Sequence, residues 1–494
     1  MAAVRLAFWF DAEDYVSPYE PVCLRRLAAL FARRGLPATW KLVGEEARML
    51  RRAAAGAGEG GRDAGAAREA LAAIAAQGLG FHTDWHSRHP TVAEYCTGAG
   101  WEEGQRRFEA AEGPGLAALR EAFPGTAVAC YGQPGGSWAP QAYPLLRRWG
   151  IPLYMDEAGH LGCGEQPFFF CGILNVLRLR RFCVRRRGHR PPAEGAAEAL
   201  ADLDRIAGEL RARGGGLAQC WWHPNEFYTD QWWDGLNFGA GRNRAGPDAE
   251  GGPRPYRLPA PVAQAEREQR FASMAEFLDG VARNDGIRVC GAAEIVALYP
   301  DRARGRPFAA SELTHLAHGL GDLLSFQRVG EATLSAAEAA YLLASALAGP
   351  PGAEVVLDAS PDGPACRTAP TVPASAALAD VREAAARFVG HVRSTGRLPD
   401  ALPLAGGMAD PACLALAFAA AHRGAGRTTA GFGGGPAAGP RVPLAAGRLA
   451  AEDFVSGDPG VWSWSIFPEG FRADDLIEQA RLQAWTLKPA LPAG

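Results

Sequence analysis

Apolar and polar positions alternate along the first part of the chain in blocks that are typical of strands followed by helices. Residues 4–10 form a mainly apolar run that predicts a buried strand, and residues 35–43 predict a second strand. Between these strands, residues 22–34 carry the periodicity of a helix, and a further helix is predicted at 68–77. Strands that alternate with helices in this way indicate a parallel α/β sheet or barrel.

The pattern changes near residue 300, where a stretch bounded by prolines follows the last helix predicted for the α/β part. A chain of 494 residues is long enough for two or three hydrophobic cores. We therefore predict a barrel domain over residues 1–302 and an accessory domain over 308–494. Apolar-striped segments at 334–347, 381–392 and 412–421 predict that the second domain is mainly α-helical.

Composition narrows the classes of function. A formal net charge of -3 gives no electrostatic basis for binding nucleic acid. No apolar run reaches the length of a membrane span, and the first residues lack the features of a signal peptide, so we expect a cytoplasmic protein. The ten cysteines are scattered without a tight framework, which fits reduced thiols in that compartment.

Three histidines, His82, His86 and His89, lie within a short stretch. His82 and His86 stand four residues apart, so one helical turn would bring both imidazoles to the same side. Two neutral nitrogen ligands in this arrangement suit one divalent metal. The alternative is that these histidines hydrogen-bond neighbouring backbone groups, and the rest of the chain has to decide between the two interpretations.

Three carboxylates, Asp11, Glu13 and Asp14, come directly after the first predicted strand. Acidic groups at the end of a buried strand are costly unless they have a function or a partner. In parallel α/β folds the carboxyl ends of the strands are also the place where functional groups collect. The alternative is a cluster that caps the following helix, because Asp and Glu suit a first helical turn.

Two later segments carry further candidates. Pro134, Gly135, Gly136 and Trp138 lie in a glycine-containing turn whose backbone N–H groups are candidates to face a ligand or an oxyanion. His223 ends an apolar strand and is either a satisfied core residue or, if it shares the face of the other candidates, a proton donor. The aromatic stretch from residue 228 to 261 is long for a linker, so it predicts a functional loop or lid, whose rings either stack on sugars or pack within the loop.

These segments resemble, in order, the five motifs of the polysaccharide deacetylases, the NodB-homology family known as carbohydrate esterase family four. The segments that carry the resemblance are Phe10-Asp11-Ala12-Glu13-Asp14, His82-Thr83-Asp84-Trp85-His86, Gln133-Pro134-Gly135-Gly136, Tyr154-Met155-Asp156 and Trp222-His223-Pro224. The resemblance covers most of residues 1–300 and implies a distorted (β/α) barrel. It implies a general base at Asp11, a general acid at His223, and a divalent metal, with zinc as the first candidate, bound by His82, His86 and a carboxylate.

The chain departs from the family pattern at several places. The metal carboxylate is either Glu13, which strand alternation favours, or Asp14, which a chain that turns after Glu13 would favour. The arginine common in the third motif is missing, since Gly132 and Gln133 stand there. A serine follows His86 where the family has proline, and Pro90 follows His89, so His89 is an alternative second ligand in a shifted register.

The leading hypothesis is therefore a metal-dependent hydrolase that removes an N- or O-linked acetyl group from a sugar or glycoconjugate. One alternative is a related linear-amide hydrolase, with or without a metal. A second alternative is a catalytically inactive carbohydrate-binding module. The combination of Asp11, His82, His86 and His223 argues against the module, because binding alone needs neither an acid, a base nor metal ligands.

Overall fold

The structure is a computed structural model. It describes the following residues: 3–56, 61–156, 167–177, 182–184, 192–239, 256–320, 324–372, 375–424, 429–431 and 471–493.

The first part of the chain forms one large, mainly parallel sheet. Its strands are β1 Val4–Ala12, β2 Thr39–Val43, β3 Leu79–Thr83, β4 Val128–Tyr131, β5 Leu153–Asp156, β6 Phe168–Phe170, β7 Ile173–Leu177, β8 Gly216–Trp222 and β9 Ile287–Cys290. They are ordered β6-β7-β5-β4-β3-β2-β1-β8, and β9 pairs in parallel with the first half of β1. Only β6 runs antiparallel to its partner in this series, as the first strand of a hairpin with β7. The sheet curls into a half-barrel, which confirms the predicted distorted (β/α) fold.

Helices follow most of these strands, as the alternating pattern predicted. They are α1 Glu20–Ala32, α2 Gly44–Ala54, α3 Ala64–Ala75, α4 Val92–Cys96, α5 Trp101–Ala122, α6 Ala142–Trp149, α7 Pro192–Ala212, α8 Trp233–Phe238, α9 Gln264–Ala282 and α10 Ala292–Leu298, with a 3₁₀ helix at Pro224–Phe227. Within the described residues, no helix combines the length and apolar composition that crossing a membrane requires.

The two faces of β1 separate two hydrophobic layers. Phe8 and Phe10 pack into the larger core, which includes side chains of the surrounding helices. Ala7 and Trp9 belong to a second core with residues of the neighbouring strands. Because side chains alternate along a strand, Asp11 continues the Trp9 face, toward the concave side of the sheet.

The second part of the chain contains a duplicated unit. Its elements are β10 Pro307–Phe308, α11 Ala310–Gly319, β11 Gln327–Val329, β12 Ala332–Leu334, α12 Ala336–Ala348, β13 Val355–Val356, β14 Ser375–Ala377, α13 Leu378–Thr395, β15 Leu402–Leu404, β16 Gly407–Ala409, α14 Pro411–Arg423 and β17 Thr429–Gly431. In each copy a helix precedes a hairpin of two three-residue strands, a 13-residue helix follows it, and the outer strands pair with each other: β10 with β13, and β14 with β17. The three predicted helices are all confirmed.

The end of the chain returns to the half-barrel. Helix α15 Asp474–Gln483 packs into the first core, and strand β18 Lys488–Pro489 pairs antiparallel with β6 at the edge of the large sheet. The ion pair between Arg147 and Asp362, at 2.6 Å, also joins the two parts. The domain boundary between residues 302 and 308 stays a prediction.

Candidate active site

The candidate residues lie at the carboxyl ends of parallel strands. Asp11 is the second-last residue of β1, His82 the second-last of β3, and His223 follows the end of β8. Because β8, β1, β2 and β3 are neighbours in the same sheet, these ends lie along one rim. The fold therefore gathers side chains that are distant in sequence.

Glu13, His82 and His86 form a buried group whose potential ligand atoms all lie within 4.8 Å of one another. The Glu13 Oε2 atom lies 3.1 Å from Nε2 of His86 and 3.4 Å from Nε2 of His82. The two histidines do not share a helical turn, in contrast to the prediction: His82 lies in β3, whereas His86 lies in the irregular segment that follows. The turn after the strand, not a helix, brings the imidazoles together.

Hydrogen bonds set the orientation of both imidazoles. His82 donates from Nδ1 to the carbonyl of Gly132 at 3.1 Å. His86 Nδ1 lies 2.8 Å from the hydroxyl of Ser87, which in turn donates to Asp234 at 2.8 Å. Since a carbonyl accepts and the Ser87 proton is used by Asp234, both Nδ1 atoms carry hydrogen and both Nε2 atoms face Glu13. This is how metal-binding histidines are commonly held.

The charges of the group match those of metal ligands. Burial alone would raise the pKa of Glu13, but His86, His223 and His82 outweigh it and lower that pKa to about 2. Burial lowers the pKa of His86 to about 4, against the attraction of Glu13. An ionised carboxylate and a neutral imidazole are the forms that bind a cation.

Asp11 lies beside this group. Its Oδ1 atom is 3.8 Å from Nδ1 of His82 and 2.8 Å from the ammonium of Lys41. Burial would raise the pKa of Asp11, but the charges of Lys41 and His82 lower it below its usual range. Asp11 is thus a buried, ionised carboxylate next to the candidate metal ligands.

His223 lies on another side of Glu13, with its Nε2 atom 3.9 Å from Glu13 Oε1. Its Nδ1 atom lies 3.1 Å from a carboxylate oxygen of Glu226, in the short 3₁₀ helix that begins directly after it. Burial would lower the pKa of His223, but Glu13, Glu226 and Asp11 raise it to about 9. The imidazole is therefore protonated near neutral pH.

Asp14 is not brought into the Glu13, His82 and His86 group. Its carboxylate accepts hydrogen bonds from the backbone N–H groups of Val16 and Ser17 and from the Ser17 hydroxyl. The chain does turn after Glu13, but that turn uses Asp14 as its cap, which favours Glu13 over Asp14 as the carboxylate of the group. Burial raises the pKa of Asp14 to about 6 in spite of these hydrogen bonds.

His89 and the third motif have other surroundings. His89 Nδ1 pairs with Glu94 at 2.5 Å, at the start of α4, which removes the shifted-register alternative. Trp138 is buried in the core and donates from Nε1 to Tyr143 at 3.4 Å. Gly135 has a φ of 51°, in the region that favours glycine, within the same turn as Pro134 and Gly136. A substrate or oxyanion role for this turn stays a prediction.

Two residues of the site were not identified from the sequence as functional. Lys41 and Glu226 contact the predicted base and acid, respectively. The sequence signal for Lys41 was its rarity, since the chain has only one other lysine, combined with its position inside a buried strand. Glu226 follows His223 by three residues, a spacing that a 3₁₀ helix places on one side.

Comparisons with known proteins find similarity only at the level of structure. No protein-family model matches the chain, and no curated protein matches it. The similar solved structures include polysaccharide deacetylases, CE4 family esterases and a CE4 family pseudoenzyme. Each of the three that follow covers about 60% of this chain.

A probable polysaccharide deacetylase from Pseudomonas aeruginosa is 12% identical over 90% of its own length, with a TM-score of 0.38. The PuuE allantoinase is 12% identical over 90% of its length, with a TM-score of 0.37. A CE4 esterase from Streptococcus mutans is 14% identical over 85% of its length, with a TM-score of 0.31. At these scores the likeness carries no argument about chemistry, which rests on the residues of this chain.

Proposed function

We propose that the protein is a metal-dependent hydrolase that removes an acetyl group, N- or O-linked, from a sugar or glycoconjugate. One observation carries this proposal: a buried carboxylate, Asp11, and an imidazole, His223, both lie within 4 Å of a member of the buried Glu13, His82 and His86 group. A base, an acid and a set of metal ligands at one rim are what amide or ester hydrolysis requires.

Glu13, His82 and His86 would hold the cation. One carboxylate oxygen and two imidazole nitrogens form a donor set that suits zinc and leaves further coordination positions for water and substrate. When bound, a divalent cation supplies a Lewis acid that polarises an acetyl carbonyl and makes water more acidic. The fit rests on the orientation of both Nε2 atoms toward Glu13 and on the low pKa of that carboxyl.

Asp11 accepts the proton of the attacking water in this proposal. Its low pKa keeps it ionised at neutral pH, so it is ready to accept a proton before the reaction starts. Its burial beside His82 and Lys41 limits the number of orientations that its carboxylate adopts. Such a fixed base contributes through positioning as well as through proton transfer.

His223 protonates the leaving nitrogen or oxygen. An amine leaves poorly without a proton, so an N-acetyl substrate depends on this group more than an ester does. Glu226 fixes the imidazole by pairing with Nδ1, which directs Nε2 toward the Glu13 side of the site. Burial would lower the pKa of His223, and the hydrogen bond to Glu226 raises it, which favours the protonated imidazole.

Aromatic side chains beside His223 support a sugar substrate. The rings of Trp221 and Trp232 contact the imidazole edge-on, with centroid distances of 5.2 Å and 4.6 Å. Both indoles are partly exposed, although one face of Trp221 is stacked on Trp9, so they place aromatic surface next to the proton donor. Trp233 is buried between Tyr15 and His86 and supports the rim instead. Residues 240–255 of the predicted aromatic loop lie outside the described residues.

Metal analysis tests the first part of the proposal. We expect about one equivalent of zinc or a similar cation in the purified wild type after reconstitution, and its loss in the double variant His82→Ala/His86→Ala. His89→Ala is the matched control, because His89 pairs with Glu94 and not with the group. Equal metal content in the wild type and the double variant would contradict the site.

Acetate release from N-acetylglucosamine oligosaccharides and from an O-acetylated xylan tests the second part. We expect Asp11→Asn and His223→Ala to lower kcat by at least about 100-fold, because each removes one proton-transfer step. Metal content should stay near that of the wild type in both variants. A wild type that binds these glycans without releasing acetate would favour the inactive module. Turnover of a small linear amide with no acetate release would favour the amide hydrolase.

A further inference from the structure

Lys41 crosses the concave side of the sheet and is entirely buried. It lies on β2, opposite Asp11 of β1, and its side chain reaches as far as β5. The ammonium forms an ion pair with Asp11 at 2.8 Å and donates hydrogen bonds to Asp156 at 3.1 Å and to the Met155 carbonyl at 2.9 Å. It also lies 4.0 Å from the centre of the Trp9 ring.

These contacts leave the ammonium little freedom. An ammonium has three N–H groups, and here three oxygens surround it, one each from Asp11, Asp156 and Met155. A buried ammonium without such partners is strongly disfavoured. Any movement of Nζ away from the three oxygens would therefore raise the free energy of the folded protein. The position of Lys41 and the position of the Asp11 carboxylate are therefore coupled.

Two glycines make room for the Lys41 side chain. A Cβ atom on Gly80, which lies opposite Lys41 on β3, would stand 2.7 Å from the Lys41 Cγ atom. A Cβ atom on Gly132 would stand 2.3 Å from Nζ and 2.5 Å from the Asp156 carboxylate. The surrounding backbone thus forms a passage that fits this one side chain.

Gly132 also connects this passage to the candidate metal ligands, because its carbonyl accepts the hydrogen bond from His82 Nδ1. The segment Gln133-Pro134-Gly135-Gly136 contains no arginine. The ammonium that pairs with Asp11 comes instead from Lys41, on β2. Asp156 shares the same ammonium, so one lysine serves two buried carboxylates.

We propose that Lys41 is a positioning residue that fixes the Asp11 carboxylate for proton transfer, with Asp156 and the Met155 carbonyl holding the ammonium in place. This inference rests on the proposed role of Asp11 as the base. Lys41 acts through Asp11 and does not itself touch the reacting atoms. A purely architectural ion pair would predict loss of stability alone.

The test compares Lys41→Met with Lys488→Met, because Lys488 is the other lysine of the chain and is also buried between two carboxylates. With N-acetylglucosamine oligosaccharides as the probe, we expect Lys41→Met to lower kcat by about 100-fold or more, since a misplacement of about 1 Å has effects of this size. KM and zinc content should change little. Lys41→Arg, which keeps the charge, should recover part of kcat, and Lys488→Met should keep it.

A crystal structure of Lys41→Met provides a readout that does not depend on activity. We expect the Asp11 carboxylate to move by about 1 Å or more while Glu13, His82 and His86 stay in place. If Lys41→Met does not fold, Gly132→Ala gives the same test, because its Cβ atom displaces Nζ while all charges remain.

The outcomes separate the inference from the proposed function. An unmoved Asp11 carboxylate, or a folded Lys41→Met with kcat near that of the wild type, would overturn the role of Lys41. Equal losses of kcat in Lys41→Met and Lys488→Met would overturn it as well. A wild type that releases no acetate would reject the proposed function, whereas the position of Asp11 in the crystal would still decide the inference.

Discussion

Lys41 and Lys488 are the only lysines of the chain, and both are buried between two carboxylates. Lys488 lies on β18 and places its ammonium 2.8 Å from both Asp301 and Glu338. In both cases burial would lower the pKa of the lysine, and the two carboxylates raise it instead. The local chemistry of the two clusters is therefore nearly the same.

Their surroundings differ. One carboxylate of the Lys41 cluster lies 3.8 Å from His82, beside the candidate metal ligands. The carboxylates of the Lys488 cluster belong to the chain after α10 and to the first turn of α12, where Glu338 also accepts from the Ser335 backbone N–H. Lys488 thus ties three segments of the chain together. A buried lysine between two acids indicates function only when one of those acids faces a reactive group.

Like the loss of the matching buried cation in Lys41→Met, Lys488→Met is expected to lower stability strongly. This change leaves Asp301 and Glu338 without their cation, and breaking a buried ion pair in this way costs roughly 3–5 kcal/mol. We expect a fall of this size in the free energy of unfolding, measured with guanidinium, and no change in zinc content or kcat per folded molecule.

A triple variant, Lys488→Met with Asp301→Asn and Glu338→Gln, controls for this prediction. Removing all three charges should restore much of the lost stability, because no buried charge then lacks a partner. A fall in kcat without a fall in stability for Lys488→Met would break the comparison, since the distal cluster would then also influence the site.

The sequence predicted the half-barrel, and it predicted several side chains that the fold brings together, whose roles stay predictions. Apolar strands that alternate with striped helices are strong signals, and His82, Asp11 and His223 were recognised because each lies near the end of such a strand. The reason given for pairing His82 with His86 was wrong, however. The spacing of four residues predicts a helical turn, whereas in the structure the end of β3 and the irregular segment after it bring the two imidazoles together. Spacing alone does not distinguish these two geometries.

Contacts across the sheet could not be predicted. Lys41 reaches Asp156 from a strand that is not its neighbour, so its role depends on the strand order and on the two glycines that open its path. The choice between Glu13 and Asp14 depended on one turn, in which Asp14 binds Ser17. Such details follow from tertiary packing and not from local pattern.

The duplication in the second part was also not recognised. The two hairpin-and-helix units share a residue of positive φ at the first position of the turn, Gly330 and Ala405, and a capping residue before the helix, Ser335 and Asp410. Few other positions match, because an apolar helix face tolerates many residue combinations. The unit is repeated in structure more clearly than in sequence.

Glu112 is a buried acid whose hydrogen-bond donors are neutral, in contrast to Asp11, which pairs with the ammonium of Lys41. It accepts hydrogen bonds from the Thr83 hydroxyl, the Asp84 N–H and the Tyr95 hydroxyl. Burial outweighs these bonds and raises the pKa of Glu112 to about 7, whereas the pKa of Asp11, beside Lys41, is lowered. The folded protein therefore binds a proton here that the unfolded chain releases near pH 4.5.

The contribution of this proton to stability is fully present below pH 4.5 and is lost as the pH rises through about 7. Its size is on the order of 3 kcal/mol. We expect the difference in unfolding free energy between the wild type and Glu112→Gln to change by this amount between pH 4.5 and pH 8, measured with urea. A difference that is independent of pH would show that folding does not shift the pKa of Glu112.

The two helix caps of the duplicated unit give the smallest expected effect and the sharpest test of how far the Lys488 cluster extends. Ser335 accepts from the Glu338 N–H at 3.2 Å, and Asp410 accepts from the Cys413 N–H at 2.8 Å. Replacing either cap by alanine should cost about 1 kcal/mol. Ser335→Ala keeps the backbone N–H that binds Glu338, so the lysine cluster stays intact and the two variants should differ little. If Ser335→Ala lowers the free energy of unfolding as much as Lys488→Met does, the cap and the lysine cluster unfold as one unit. The two copies would then be equivalent in backbone structure but not in the stability that their caps contribute.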